Sequence, residues 1–75
     1  MVIVYTKPNC PACYATKRAL DKRGIAYQSH DVTQSPEALS AVKALGYRAM
    51  PVVVVGDKHW CDFRPDLIET LGGER

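Results

Sequence analysis

Val2-Ile3-Val4-Tyr5-Thr6-Lys7-Pro8-Asn9-Cys10-Pro11-Ala12-Cys13 carries an apolar, β-branched run into a pair of thiols and then into a helical pattern. The two cysteines therefore fall where a strand ends and a helix begins. Cys10 is expected at the N-cap, with Pro11 at the first helical position, where a missing N–H costs nothing. The free amides of Ala12 and Cys13 then point at the Cys10 sulfur. A helix N-terminus favours negative charge, so a thiolate at Cys10 is stabilised and its pKa lowered. Lys7 adds a positive charge nearby. Cys13 lies three residues on, on the same helical face and within bridging reach. Such a pair can make and break a disulfide.

Composition narrows the alternatives. A chain of 75 residues is expected to form one domain over 1–75. At that size it buries only about 60% of its unfolded surface. A hydrophobic fraction of 47% and a charged fraction of 24% are ordinary for a globular protein. The net charge of +2 gives no reason to expect nucleic acid as a partner. No run is long enough to span a membrane and no N-terminal signal pattern is evident, so the cytoplasm is the expectation. A monomer is expected as well. With three cysteines the count is odd. The close pair closes a loop of about four residues, worth only about 2 kcal/mol in the chain-entropy model, against about 4.7 for a long loop. Chemistry explains such a pair better than stapling does.

Outward from the thiols, Met1 to Tyr5 reads as a central strand covered on both faces. Ala12, Ala15, Thr16, Ala19 and Leu20 follow helical spacing up to a Gly24 C-cap. Lys17, Arg18, Asp21 and Lys22 take the outer face. The Lys17, Arg18, Lys22 and Arg23 charges are expected to be a solvated helix face. Ile25 to Val32 alternates poorly and suits an edge strand. Ser35-Pro36-Glu37 opens a second helix, with Leu39, Val42 and Leu45 as its expected buried stripe and Gly46 as its end. Pro51 to Val55 is a second central strand. Gly56-Asp57 suits a two-residue hairpin turn into Lys58–Cys61. Pro65 starts a last helix carrying Leu67, Ile68 and Leu71. Gly72-Gly73 is expected to stop it, with fraying at Glu74-Arg75. The order β-α-β-α-β-β-α implies an α/β fold: a four-stranded mixed sheet with helices on both faces.

That order, with Cys10-Pro11-Ala12-Cys13 after the first strand and Met50-Pro51 before the third, resembles the thioredoxin fold in its glutaredoxin-like form. Trp60-Cys61-Asp62-Phe63-Arg64-Pro65-Asp66 is similar to the Trp-Ser-Gly-Phe-Arg-Pro signature of the NrdH-redoxins. Ala15 to Leu20 and Ala44-Leu45-Gly46-Tyr47-Arg48 match the same family. The resemblance implies a thiol–disulfide oxidoreductase without a cofactor or metal. It takes electrons from thioredoxin reductase and passes them to the large subunit of the class Ib ribonucleotide reductase. It implies a cis bond before Pro51, where the residue alone gives trans as the expectation. Met50 would then offer backbone groups to an extended segment of the partner.

Cys10 is expected to attack the partner's disulfide, being nearer the helix end and more exposed; Cys13, one turn in, resolves the mixed disulfide. The resemblance suggests that Trp60 helps shape the surface beside the disulfide and that Arg64 hydrogen-bonds to hold that loop. Trp60 and Phe63 also suit a core, and both readings stay open. The supporting or partner-binding set is thus Lys7, Pro11, Met50, Pro51, Trp60, Phe63 and Arg64. The family's Ser-Gly is here Cys61-Asp62, and glutaredoxins use Gly-Gly there for close approach of glutathione. Side chains at both positions crowd that site, and Asp62 repels a glutathione carboxylate. Cys61 reads as a passive thiol, with a secondary disulfide or regulatory oxidation as the other possibility. His30 and His59 carry no motif. Two other functions compete: a glutathione-dependent dithiol glutaredoxin, and a structural zinc domain using Cys10, Cys13, His59 and Cys61.

Overall fold

The computed structural model describes residues 1–71. Its elements are β1 (Val2–Thr6), α1 (Pro11–Lys22), β2 (Tyr27–Asp31), α2 (Pro36–Ala44), β3 (Val52–Val55), β4 (Lys58–Cys61) and α3 (Pro65–Glu69). The expected stop at Gly72-Gly73 and the fraying at Glu74-Arg75 lie outside the described residues. The strands form one sheet in the order β2-β1-β3-β4. β1 runs parallel to β2, with Val4 opposite Ser29. It runs antiparallel to β3, with Val4 opposite Val53. β3 and β4 form the antiparallel hairpin, with Val55 opposite Lys58. This is the thioredoxin-type fold in its glutaredoxin-like form.

The two apolar runs take the middle because only they can lose water on both faces. Val52 and Val53 are both fully buried although a strand points them to opposite sides. Val53 packs with Val2, Val4, Leu20 of α1, Trp60 and Ile68 of α3. Val52 packs with Val42 of α2, Met50, Cys10 and Cys13. So α1 and α3 cover one face and α2 covers the other. The polar β2, carrying Gln28, Ser29 and His30, falls at an edge, as its poor alternation suggests.

α1 and α2 stop in the same way. Gly24, at φ +68, donates to Asp21 O while Ile25 N–H donates to Leu20 O. Gly46, at φ +89, donates to Lys43 O while Tyr47 N–H donates to Val42 O. This pair of reversed bonds is the Schellman motif, and its left-handed residue favours glycine. The motif also seats the residue after the glycine on the last turn: Ile25 joins the core of Leu20, and Tyr47 packs with the cluster of Val42.

Two expectations are corrected. Of the expected stripe Leu39, Val42 and Leu45 only Val42 is buried, and Ala38 is buried with it. Leu39 and Leu45 keep 37% and 36% of their surface exposed. A nine-residue helix approaches the sheet most closely through small side chains, so alanine and valine take the contact. The bulkier leucines splay to its margins. Strand β1 also begins and ends one residue later than expected, because Met1 stands in solvent.

Candidate redox site

The chain leaves β1 through Lys7-Pro8-Asn9, where Asn9 takes a left-handed φ of 57°. That conformation, tolerable for asparagine, turns the chain so that Cys10 becomes the extended N-cap of α1 (φ −122°, ψ 96°). The Cys13 N–H donates to Cys10 Sγ at 3.2 Å. Of the two amides expected to reach the sulfur, only that of Cys13 does so among the described residues. An N-cap side chain accepts most readily from the second or third helical N–H, and Cys13 is the third. Pro11 occupies the first helical position. Cys10 and Cys13 are joined as a disulfide, with their Cα atoms 5.2 Å apart.

Both sulfurs are more enclosed than their position suggests. Cys10 retains 5% exposure and Cys13 none. Their order is the expected one, but the opening over Cys10 is narrow. The segment before β3 packs against Cys10. The Met50–Pro51 peptide bond is cis, as the resemblance implies. The Met50 carbonyl oxygen lies 3.7 Å from Cys10 Sγ, placed to accept from the thiol once the disulfide is reduced. Pro51 is itself pinned: its carbonyl accepts from Asp62 N–H at 2.9 Å. Asp62 adopts φ +74° to make that bond, a conformation glycine would take more readily.

The remaining candidates divide. Lys7 is exposed on the loop leading to Cys10. Phe63 is exposed after β4. Trp60 is buried on the opposite face of the sheet, in the cluster under α1 and α3, so its packing there is structural. Its indole N–H has no hydrogen-bond partner among the described residues. Arg64 forms a fork with Asp66, two residues on: Nε donates to Oδ1 at 3.2 Å and the terminal nitrogen to Oδ2 at 3.0 Å. That pairing holds the Asp66 carboxyl below its usual range and raises the Arg64 guanidinium. Cys61 is a free, half-buried thiol packed against the cluster of Cys10, Cys13 and Met50.

His59 does not gather with the cysteines. Its Nδ1 lies 2.7 Å from Tyr47 Oη, and the two rings meet edge to face with centroids 5.5 Å apart. Among the described residues no group of three His, Cys, Asp or Glu side chains is placed to hold a metal ion. His30 lies 3.2 Å from Gln28 Oε1 and stacks at a tilt on Tyr5.

The sequence does not single out a groove that starts at Met50. It is about 590 Å³ in volume and runs between Leu39, Val42 and Lys43 of α2 and the chain at Gly46, Tyr47, Arg48 and Met50. The available signal was an excess of leucine on α2: three large aliphatic side chains, Leu39, Val42 and Leu45, for a helix with room to bury one.

Comparison with known proteins agrees with this geometry. The glutaredoxin family model matches residues 2–60. The chain is 44% identical over 70 residues to the glutaredoxin-like protein NrdH of Escherichia coli K12, spanning 93% of this chain and 86% of that protein. It is 35% identical over 71 residues to the protein of the same name from Lactococcus lactis, spanning 95% of this chain and 99% of that one. The solved structure of the E. coli NrdH-redoxin superposes with a TM-score of 0.89 over 93% of this chain and 92% of that one.

Proposed function

Since the chain belongs to the glutaredoxin family, and is similar along its length to the NrdH glutaredoxin-like proteins, we propose that it is a dithiol reductant of protein disulfides in which Cys10 attacks and Cys13 resolves. That it is a thiol–disulfide oxidoreductase follows from the family itself and from the bridged Cys10–Cys13 pair. The division of labour between the sulfurs is the further step. One observation carries it: the Cys13 N–H is aimed at Cys10 Sγ, at the start of a helix. A thiolate formed there accepts a charge-assisted hydrogen bond and faces the positive end of the helix dipole. Cys13, fully enclosed one turn in, has no such access to a partner.

The exchange balances as follows. The Cys10 thiolate attacks one sulfur of the partner's disulfide, forming a mixed disulfide and expelling a thiolate that takes a proton from solvent. Cys13 gives up its proton and attacks Cys10 Sγ. The Cys10–partner bond breaks, and the second partner sulfur leaves as a thiolate and is protonated in turn. Two electrons and two protons pass to the partner, and Cys10–Cys13 is left oxidised.

Its reductant, in this reading, is thioredoxin reductase, and its target is the large subunit of the class Ib ribonucleotide reductase, so that the chain serves deoxyribonucleotide synthesis in the cytoplasm. Likeness to the NrdH proteins supports this, as does the thioredoxin-like activity profile named for the E. coli relative. Asp62 argues against glutathione, since a side chain stands at φ +74° on the residue bonded to Pro51. No described helix is long and apolar enough to cross a membrane.

A coupled assay tests the choice: NADPH with thioredoxin reductase against NADPH with glutathione and glutathione reductase. Turnover is expected in the first, and turnover only in the second overturns the reading. Cys10→Ser is expected to abolish disulfide reduction in either, while Cys13→Ser should accumulate the mixed disulfide, visible by mass spectrometry.

A further inference from the structure

We propose that the outer side of α1 docks an acidic helix of the partner protein, with carboxylates one turn apart, and so brings that partner's disulfide to Cys10. The inference rests on reading Cys10–Cys13 as the exchanging pair. A trough of about 490 Å³ runs along this helix, lined by Pro11, Tyr14, Ala15, Arg18, Ala19 and Lys22. It begins at Pro11, the residue after Cys10, and ends at Lys22, a span of roughly 17 Å at 1.5 Å per residue. A second hollow of about 370 Å³ shares Ala19 and Lys22 with it and is lined on the far side by Pro65 and Ile68 of α3. An occupant of the trough therefore lies beside the attacking sulfur at one end and against α3 at the other.

The charges of α1 divide into answered and unanswered ones. Arg23, at its C-cap, reaches Glu69 at 3.7 Å. Asp21 faces Tyr27, whose hydroxyl is raised by burial and then by the Asp21 charge. Lys17 faces Asp31 on β2, whose carboxyl is lowered by its Thr33 hydrogen bonds and, more weakly, by that lysine. Arg18 and Lys22 remain. Neither enters a salt bridge among the described residues, and no carboxylate lines the trough with them. They stand four residues apart, so they share one ridge of the helix with Tyr14.

The shape of the trough selects a helix to answer them. Its floor is Ala15 and Ala19, side chains small enough for a second helix axis to approach to about 8 Å. An extended segment pressed on alanine would leave its own N–H and C=O groups unpaired, whereas a helix satisfies them internally. Carboxylates four apart on that helix repeat the spacing of Arg18 and Lys22. Tyr14, with 54% of its surface exposed, offers an aromatic anchor near Cys10. A second copy of this chain, docking trough to trough, meets like charge. A carboxylate-bearing helix meets complementary charge.

The test uses three synthetic alanine-rich helices whose paired side chains, four apart, are glutamate, glutamine or lysine, residues of similar helix propensity. A short flexible linker joins each helix to one closed disulfide. The readout is the rate at which each oxidises the reduced full-length protein, followed by mass spectrometry and divided by the rate of the same peptide with dithiothreitol. At about 0.01 M salt the glutamate helix is expected to exceed the glutamine helix by about tenfold, the low end of electrostatic steering, with the lysine helix slowest. The difference should collapse at about 1 M salt, where charges are screened beyond about 3 Å. In the oxidised protein the glutamate helix should shift the amide resonances of Tyr14, Ala15, Arg18, Ala19 and Lys22 and leave those of α2 in place.

Arg18→Glu/Lys22→Glu should invert the order of rates, whereas Lys43→Glu/Lys58→Glu, with the same change in net charge, should keep it. Equal normalised rates for the glutamate and glutamine helices overturn the proposal. So do a glutamate preference that survives in Arg18→Glu/Lys22→Glu or is lost in Lys43→Glu/Lys58→Glu, and amide shifts that fall outside α1. If a single-stranded oligonucleotide of equal charge shifts the same amides as strongly, the trough reads any anion and the helix is overturned as its occupant. Oxidation of the unaltered protein by hydroxyethyl disulfide separates the two layers. If that proceeds while the helices are not distinguished, only the docking inference fails. If neither hydroxyethyl disulfide nor any peptide oxidises the protein, the dithiol reading falls with it.

Discussion

The two faces of the sheet are built to different standards. Under α1 and α3, Val2, Val4, Leu20, Ile25, Val53, Trp60, Ile68 and Leu71 close into a buried cluster. Two helices share that face. Under α2 a single nine-residue helix faces Val52, and the buried members there are Cys10, Cys13, Val42 and Met50. The cover is incomplete: Leu39 and Leu45 are left at the margin, a groove opens beside them, and the sulfurs sit at its end. The lesson is a division of labour across one sheet. The closed face supplies rigidity, and the thin face supplies access. The Cys10–Cys13 disulfide lies where the fold could least complete its own core.

That contrast can be broken most directly by truncating a leucine on each face. Leu20→Ala on the closed face removes a fully buried side chain and should cost about 2–5 kcal/mol in thermal or denaturant unfolding. A loss as small as that of a surface residue would show that this face is not the scaffold. On the thin face, α2 depends more on its own ends. Ser35 Oγ accepts from Ala38 N–H at 3.2 Å, so Ser35→Ala should cost about 1 kcal/mol. The loss should appear first as faster hydrogen exchange of the α2 amides, with α1 little affected. Leu39→Ser, at the margin, should alter stability by no more than about 0.5 kcal/mol, the range of an ordinary surface change.

The smallest expected effect is electrostatic. Hydrogen bonds from Arg64 lower the Asp66 carboxyl, and those from the Thr33 hydroxyl and amide lower Asp31. A depressed carboxylate stabilises the fold above its unfolded value of about 3.9 and loses that contribution as pH falls through its lower folded value. Both groups are exposed, so the acid-side decline in melting temperature should be shallow. Arg64→Met should flatten it further, and it should do so equally in the oxidised and reduced protein.

Much of this architecture is legible in the residues. Val2 to Val4 and Val52 to Val55 are unbroken and β-branched, so they announce central strands. Cys10-Pro11 and Ser35-Pro36 announce helix starts, and both side chains do cap. Gly24 and Gly46 announce the ends. What escaped is orientation within α2. Hydrophobicity ranks leucine above alanine, but the sheet is approached through Ala38 and Val42 because close contact favours small side chains. The same error hides the groove, since its wall is made of residues that seemed already buried. Trp60 and Arg64 show a second limit. The family resemblance suggests roles near the disulfide for both, with a core role also open for Trp60; strand alternation sets Trp60 in the core of the far face, and Arg64 bonds Asp66, two residues on.

The burial of Trp60 has a practical corollary. It is the chain's one tryptophan, and its indole is held away from water on the face opposite the sulfurs. Its fluorescence is therefore a built-in gauge of the scaffold, readable without a dye. Emission shifting to the red marks water entering between α1, α3 and the strands. If the spectrum also moves when the disulfide is merely opened, then a change at one sheet surface is being transmitted through the sheet to the other.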